Sequence, residues 1–251
     1  MPETALMWQQ LRRSLAIARK DIRIYYSKGP VVIFGVLFPV FLFLSFAMGR
    51  DLSLDFMIPG LLGMIVFFTA TSISPIVVPW EAQARTLERL MSCPVGLETI
   101  IVGDTLASLA FGTAISLVTV VIGLALGATV SSPVILAVAI ILAALCFASL
   151  GNVFSVPPTN LPSTVMMIAS VIKFPAIFIS GIFIPLDELP AWGQAIAYIS
   201  PLTYFTDIAR SCVQDRGHLP LALDFGVLTA FSALFLLAAM KLHQRTMPRR
   251  I

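Results

Sequence analysis

Charge is scarce in this sequence. Asp, Glu, Lys and Arg make up 12% of its 251 residues, about half the share of roughly 25% in an ordinary soluble protein. So few charges cannot clothe a water-facing surface, which excludes a soluble globular domain. The formal net charge is only +3, too small for a nucleic-acid binder with a broad basic face. Cysteine is limited to Cys93, Cys146 and Cys212, far apart and without a CxxC pair, so neither a disulfide framework nor a zinc site is indicated. His218 and His243 are isolated in the sequence and suit interfacial positions better than catalysis. The phosphate loop GxxxxGK(S/T), the HExxH metal motif, GxGxxG and GxSxG are all missing. Asp104 has no second aspartate within an apolar run, so a paired-carboxylate mechanism is unsupported.

What is abundant is grease. Apolar residues reach 58% and mean hydropathy is +0.96. A helix needs about 20 apolar residues to cross a hydrocarbon core about 30 Å thick. Six stretches qualify, 31–49, 56–78, 105–127, 133–156, 163–185 and 225–241, the fifth interrupted by Lys173. Cations are retained on the cytoplasmic side. Six spans with both termini inside keep Arg12, Arg13, Arg19, Lys20, Arg23, Lys28, Arg85, Arg89, Lys241, Arg245, Arg249 and Arg250 there, and export only Arg50, Arg210 and Arg216. Five spans would export the basic tail. The first run resembles a signal peptide ending near Ser45-Phe46-Ala47, but it exceeds the roughly 7–15 residues of a signal's apolar region and reads as a retained span.

The segments between spans carry their own patterns. Leu11, Leu15, Ala18, Ile22 and Tyr25 recur at helical spacing, with Arg12, Arg19 and Arg23 on another face. They predict an amphipathic helix in residues 1–30 along the inner leaflet, serving as an anchor or as an element on which a partner pushes. Gly29-Pro30 breaks it. Residues 81–94 form a short two-faced helix, with Leu87, Leu90 and Met91 opposite Glu81, Arg85, Glu88 and Arg89. Glu81 and Arg85 are spaced for an i,i+4 ion pair, and Pro94 with Gly96 ends the segment. It reads as a solvated turn or as a docking element. Residues 186–210 are too interrupted to span and too apolar to float, which predicts re-entrant helices with Trp192, Tyr198 and Tyr204 at headgroup level. Lys173 lies near the membrane midplane, where a cation costs at least about 2.5–3.5 kcal/mol. It marks a functional site or finds an acceptor freed by Pro175. Gly112 and the pair Gly123-x-x-x-Gly127 permit close helix contact.

Two regions resemble the membrane subunit of ABC transporters of the ABC-2, or type V exporter, class. Glu81-Ala-Gln-Ala-Arg85-Thr-Leu-Glu88-Arg89-Leu-Met-Ser-Cys93-Pro94, leading to Gly103-Asp104, is similar to that family's coupling-helix pattern, with Arg85 where Gly is usual and Asp104 where Lys is usual. Phe174-Pro175-Ala-Ile-Phe178-Ile-Ser180-Gly181-Ile-Phe183-Ile-Pro185, then Leu189-Pro190, Tyr198, Ser200-Pro201-Leu202-Thr203-Tyr204 and Arg210, is similar to its second signature. The resemblance implies an all-α polytopic protein: an N-terminal interface helix in 1–30 and a six-span domain in 31–251, with a cytoplasmic coupling helix at 81–94 and external re-entrant helices at 186–210. It implies a permease in the plasma or inner membrane, paired with a second permease subunit, identical to it, and with a separate ATPase that holds ATP and Mg. It further implies that the chain itself binds no cofactor, no metal and no nucleic acid, and is not an enzyme. Glu81, Arg85, Glu88 and Arg89 are then the ATPase-coupling residues, Arg12, Arg19 and Arg23 the interface-helix cations, and Lys173, Pro175, Ser180 and Gly181 candidates for the translocation pathway. Relatives export drugs, lipid-linked glycans, polysaccharides or ions, and the apolar spans here favour an amphipathic or lipid-like cargo. The residues alone leave two other readings, an ion-coupled carrier or channel centred on Lys173 and a membrane enzyme whose polar groups converge only on folding.

Overall fold

A computed structural model describes residues 3–48, 53–93, 95–214 and 217–246, with the side chains of residues 3–7 left aside. Gly49, Arg50, Pro94, Arg216, Arg249 and Arg250, used in the topology and helix-end arguments above, lie outside the described residues. The described chain is helical throughout. In order it forms α1 (Glu3–Tyr25), α2 (Gly29–Ala47), α3 (Leu54–Gln83), α4 (Thr86–Met91), α5 (Leu97–Ala125), α6 (Pro133–Phe154), α7 (Pro162–Ile179), α8 (Ala191–Ala197), α9 (Pro201–Gln214) and α10 (Leu221–Thr246). Six of these, α2, α3, α5, α6, α7 and α10, are long and apolar enough to cross a membrane.

The helix ends shift from expectation for local reasons. Gly29-Pro30 does not merely break a helix; α1 ends at Tyr25, and Pro30 sits in the first turn of α2, where its missing N–H costs nothing. The third span begins at Leu97 rather than Thr105. Its first two turns carry Glu98, Thr99 and Asp104 among the apolar residues, which lowers the hydropathy there. The fifth ends at Ile179, and Gly181 follows in the left-handed region at φ 76°. Gly127 is not a packing residue: it stands at φ 97° after α5, and the Ala128 N–H reaches Gly123 O at 3.1 Å in a Schellman cap.

α3 is the central element, buried along nearly its whole length, whereas α2, α5, α7 and α10 keep most of their apolar surface outward. That outward surface is what a lipid-solvated bundle presents, since no water drives it inside. One core surrounds α3 and is built on Phe43, Phe67, Phe147 and Phe205, with the Phe67 and Phe147 rings edge to face at 5.0 Å. α9 has 14 residues, about 21 Å at 1.5 Å per residue, too short to cross about 30 Å. It is nonetheless buried along most of its length against α3, α6 and α10. Tyr204 is inside the protein, its hydroxyl donating to Tyr198 O at 2.8 Å, while Trp192 is exposed.

A polar junction where α1 meets the bundle

α1 uses a face that its apolar stripe did not disclose. Ala18 and Tyr25 are buried, but Leu11, Leu15 and Ile22 stay exposed, and the packed face is Ser14, Ile17, Ala18, Asp21 and Tyr25. This face lies on the start of α5. Gly103 makes the approach possible: a Cβ there would stand 2.8 Å from Ile17 Cβ and 2.9 Å from Ser14 O. Ser14 donates to Thr99 O at 3.1 Å, and the Thr99 hydroxyl donates to Gln10. At the next turn of the chain, the Tyr26 hydroxyl donates to Ser108 at 3.0 Å, and Ser108 meets Ser74 of α3 at 2.7 Å.

The same face reaches the end of α3. Glu81 does not pair with Arg85, because α3 stops at Gln83 and Arg85 turns the chain at φ 53° before α4 begins. Glu81 is instead buried and paired with Lys20 of α1, which also lies 3.0 Å from Asp21. Tyr25 stacks on Trp80 at 5.5 Å, and the Lys28 ammonium sits 4.2 Å from the Trp80 ring centre. Burial pushes the Asp21 carboxyl up to about 6, against the pull of the Lys20 ammonium. Asp104, which replaces the expected lysine, is buried beside this group. With Lys20, Asp21, Glu81, Asn152 and His243 it borders a cavity of about 10 Å³, room for about one water. His243 is buried in the protein: it is 1% exposed, 3.0 Å from Asn152 O and 2.9 Å from Ser155 Oγ.

The remaining coupling residues stand outward. Arg85, Glu88 and Arg89 are exposed, and so is Met91, whereas Leu87 packs on Val78. Arg12, Arg19 and Arg23 are exposed along α1, with the Arg12 guanidinium 6.0 Å from the Trp8 ring.

The four pathway residues are not brought together. Lys173 faces α3, donating to Thr71 O at 3.0 Å, so its acceptor comes from another helix and not from the turn around Pro175. Pro175 borders an apolar groove on a different side of α7, with Phe231 and Phe235 of α10. Ser180 and Gly181 close the far end of the bundle. The Ser180 and Ser200 hydroxyls meet at 2.9 Å, and Gly181 O accepts from the buried Arg210 guanidinium at 2.5 Å.

That far end holds a second polar assembly that sequence reasoning missed. Asp207 accepts from the His218 and Leu219 backbone N–H groups at 2.9 and 2.8 Å, and His218 Nδ1 lies 2.6 Å from Asp187. Asp187, Asp207 and His218, with Asp55, Glu188 and Arg210, border a cavity of about 740 Å³. The only sequence signal was the unusual number of ionisable residues within an apolar connection.

The chain is similar over most of its length to known membrane permeases. The profile of a family described as ABC-2 type transporter matches residues 6–213. The inner membrane transport permease YadH of Escherichia coli K12 is 26% identical over 193 residues, 76% of this chain and 75% of that protein. Nodulation protein J of Bradyrhizobium diazoefficiens is 29% identical over 170 residues, 66% of this chain and 63% of that protein. The probable multidrug ABC transporter permease YbhR of Escherichia coli K12 is 26% identical over 159 residues, 62% of this chain and 42% of that protein.

Proposed function

The chain belongs to the ABC-2 type transporter family, and on that premise we propose that it is the membrane permease of an ATP-driven exporter, worked by a separate ABC ATPase that holds ATP and Mg. Two such six-span subunits enclose the pathway, and both termini face the cytoplasm. The observation that supports this most is the junction just described. α1, the end of α3 and the start of α5 are tied by the Lys20–Glu81 ion pair, the Tyr25–Trp80 stack and the Ser14–Thr99 hydrogen bond. The exposed Arg85, Glu88 and Arg89 follow at once in the chain. A force applied to α4 or α1 therefore arrives at the central helix α3 without passing through a flexible loop. α1 lies along the inner leaflet, with Leu11, Leu15 and Ile22 toward lipid and its arginines toward headgroups. α8 and α9 are the external re-entrant helices. The cargo is amphipathic, in keeping with the apolar outer faces of α2, α5 and α7.

Affinity purification from the native membrane in mild detergent tests this. An ABC ATPase is expected to accompany the chain, which by itself hydrolyses no ATP. Glu88→Lys combined with Arg89→Glu is expected to leave the permease folded while uncoupling ATP hydrolysis from transport at least tenfold. Unchanged coupling would remove α4 as the contact. Transport by the lone polypeptide in liposomes without ATP would replace the whole reading with a secondary carrier.

A further inference from the structure

Four observations converge between α2, α3 and α7. The first is an incompletely used cation. Lys173 is 7% exposed, and its one hydrogen bond goes to Thr71 O at 3.0 Å. That carbonyl is free because residue 75, which would supply the helical N–H, is proline. An ammonium has three N–H groups, and no carboxylate pairs with this one among the described residues. The second is a cavity of about 110 Å³ bordered by Lys173, not far below the size of about 150 Å³ at which an engineered cavity takes up benzene. The third is its lining. Phe38 lies 6.4 Å from Phe34, 5.4 Å from Phe68 and 5.8 Å from Phe174, ring centre to ring centre, and Lys173 Nζ is 5.6 Å from the Phe68 ring. The bordering hydroxyls of Ser72 and Ser170 already donate to Phe68 O and Met166 O, which leaves Lys173 as the donor. The fourth is the backbone of α2. It runs as a π turn over Ile33–Leu37, where Pro39 takes away the N–H that Gly35 O would receive. Such turns are rare and gather at functional sites. Phe34 and Phe174 are partly exposed, so the cavity opens sideways between α2 and α7.

We propose that this cavity binds the acidic end of an amphipathic anion, its ring or short chain among the four phenylalanines and its acidic group on Lys173. The incoming anion supplies the counter-charge that the protein withholds, and a cationic amphiphile would meet a like charge in an apolar wall. The inference deepens the exporter reading by giving its cargo a sign, and it depends on that reading only in treating the bound anion as cargo.

The test is photolabelling of the permease alone, in nanodiscs of zwitterionic lipid, with 4-benzoylbenzoate and its neutral amide, mapped by peptide mass spectrometry. The carboxylate is expected to label peptides from α2, α3 and α7 at least tenfold more than the amide. Lys173→Met should abolish that preference, and Lys173→Arg should retain it. Ser170→Phe, which fills the cavity and leaves the Lys173–Thr71 contact, should block labelling and keeps the test valid if Lys173→Met does not fold. Equal labelling by the two probes, or undiminished carboxylate labelling in Lys173→Met or Ser170→Phe, overturns the proposal. Competition by phosphatidylglycerol would support a lipid anion as the occupant, and its absence beside intact labelling a dissolved acid. Because no ATPase is present, failure here leaves the permease assignment standing, and failure of an ATPase to co-purify leaves the cavity standing.

Discussion

At Arg85 the backbone holds a conformation that its side chain opposes. A left-handed residue with a Cβ costs roughly 1–2 kcal/mol, and the φ of 53° is the sole positive value at a non-glycine position among the described residues. This gives a physical reason for the glycine usual at this point in the resemblance pattern. Arg85→Gly is expected to raise stability by roughly 0.5–1 kcal/mol after the greater freedom of glycine in the unfolded chain is deducted, read as a higher Tm in nanodiscs. An unchanged or lower Tm would mean that the arginine side chain offsets its own strain. Asp21 makes the opposite kind of demand. Its carboxyl is raised to about 6 by burial, so the folded state prefers the protonated form. The stabilisation is complete below the ordinary carboxyl range and is lost as pH rises through 6. Asp21→Asn should therefore gain stability relative to the parent between pH 4 and pH 7, and a difference in Tm that stays flat across that range would contradict the assignment.

Among the elements, α3 and α7 show how proline shapes contact. Pro75 leaves Thr71 O without its helical donor, and Lys173 supplies one. The two positions are thus coupled. Lys173→Met is expected to cost about 1 kcal/mol less in a Pro75→Ala background than in the parent. Additive effects in that double-mutant cycle would show that the lysine and the orphan carbonyl are independent. Much at this scale was legible beforehand. Run length alone located all six long helices, because a bilayer demands about 20 apolar residues and little else. The packed face of α1 was not legible, since Ser14 and Asp21 sit on it and hydrophobic periodicity selects against both. Nor were the first turns of α5, whose Thr99 and Asp104 are buried polar residues. The sequence places Glu81 on a surface helix for the same reason: its partner, Lys20, is 61 residues away in the chain, and local spacing offers Arg85 instead.

For the molecule as a whole, orientation is the property from which function follows, and the native cysteines can report it. Cys146 and Cys212 are buried and Cys93 is exposed just beyond α4. A bulky, membrane-impermeant maleimide is expected to modify Cys93 in inside-out vesicles and to leave intact cells unlabelled. Labelling from the outside would invert the topology and remove α4 as a contact for a cytoplasmic ATPase. The outward apolar faces of α2, α5, α7 and α10 further imply that the isolated chain needs lipid or a second copy along those faces, in contrast to α3, which already has protein neighbours on most sides.

Gly103 has a practical corollary for anyone splicing these proteins. A methyl group at that position would collide with Ser14 and Ile17, so the first helix and the third long helix are cut to each other like a key and its ward. A hybrid that grafts only the leading 28 residues from a relative should assemble poorly, whereas one that carries 1–28, 74–83 and 97–108 as a single cassette should retain its grip.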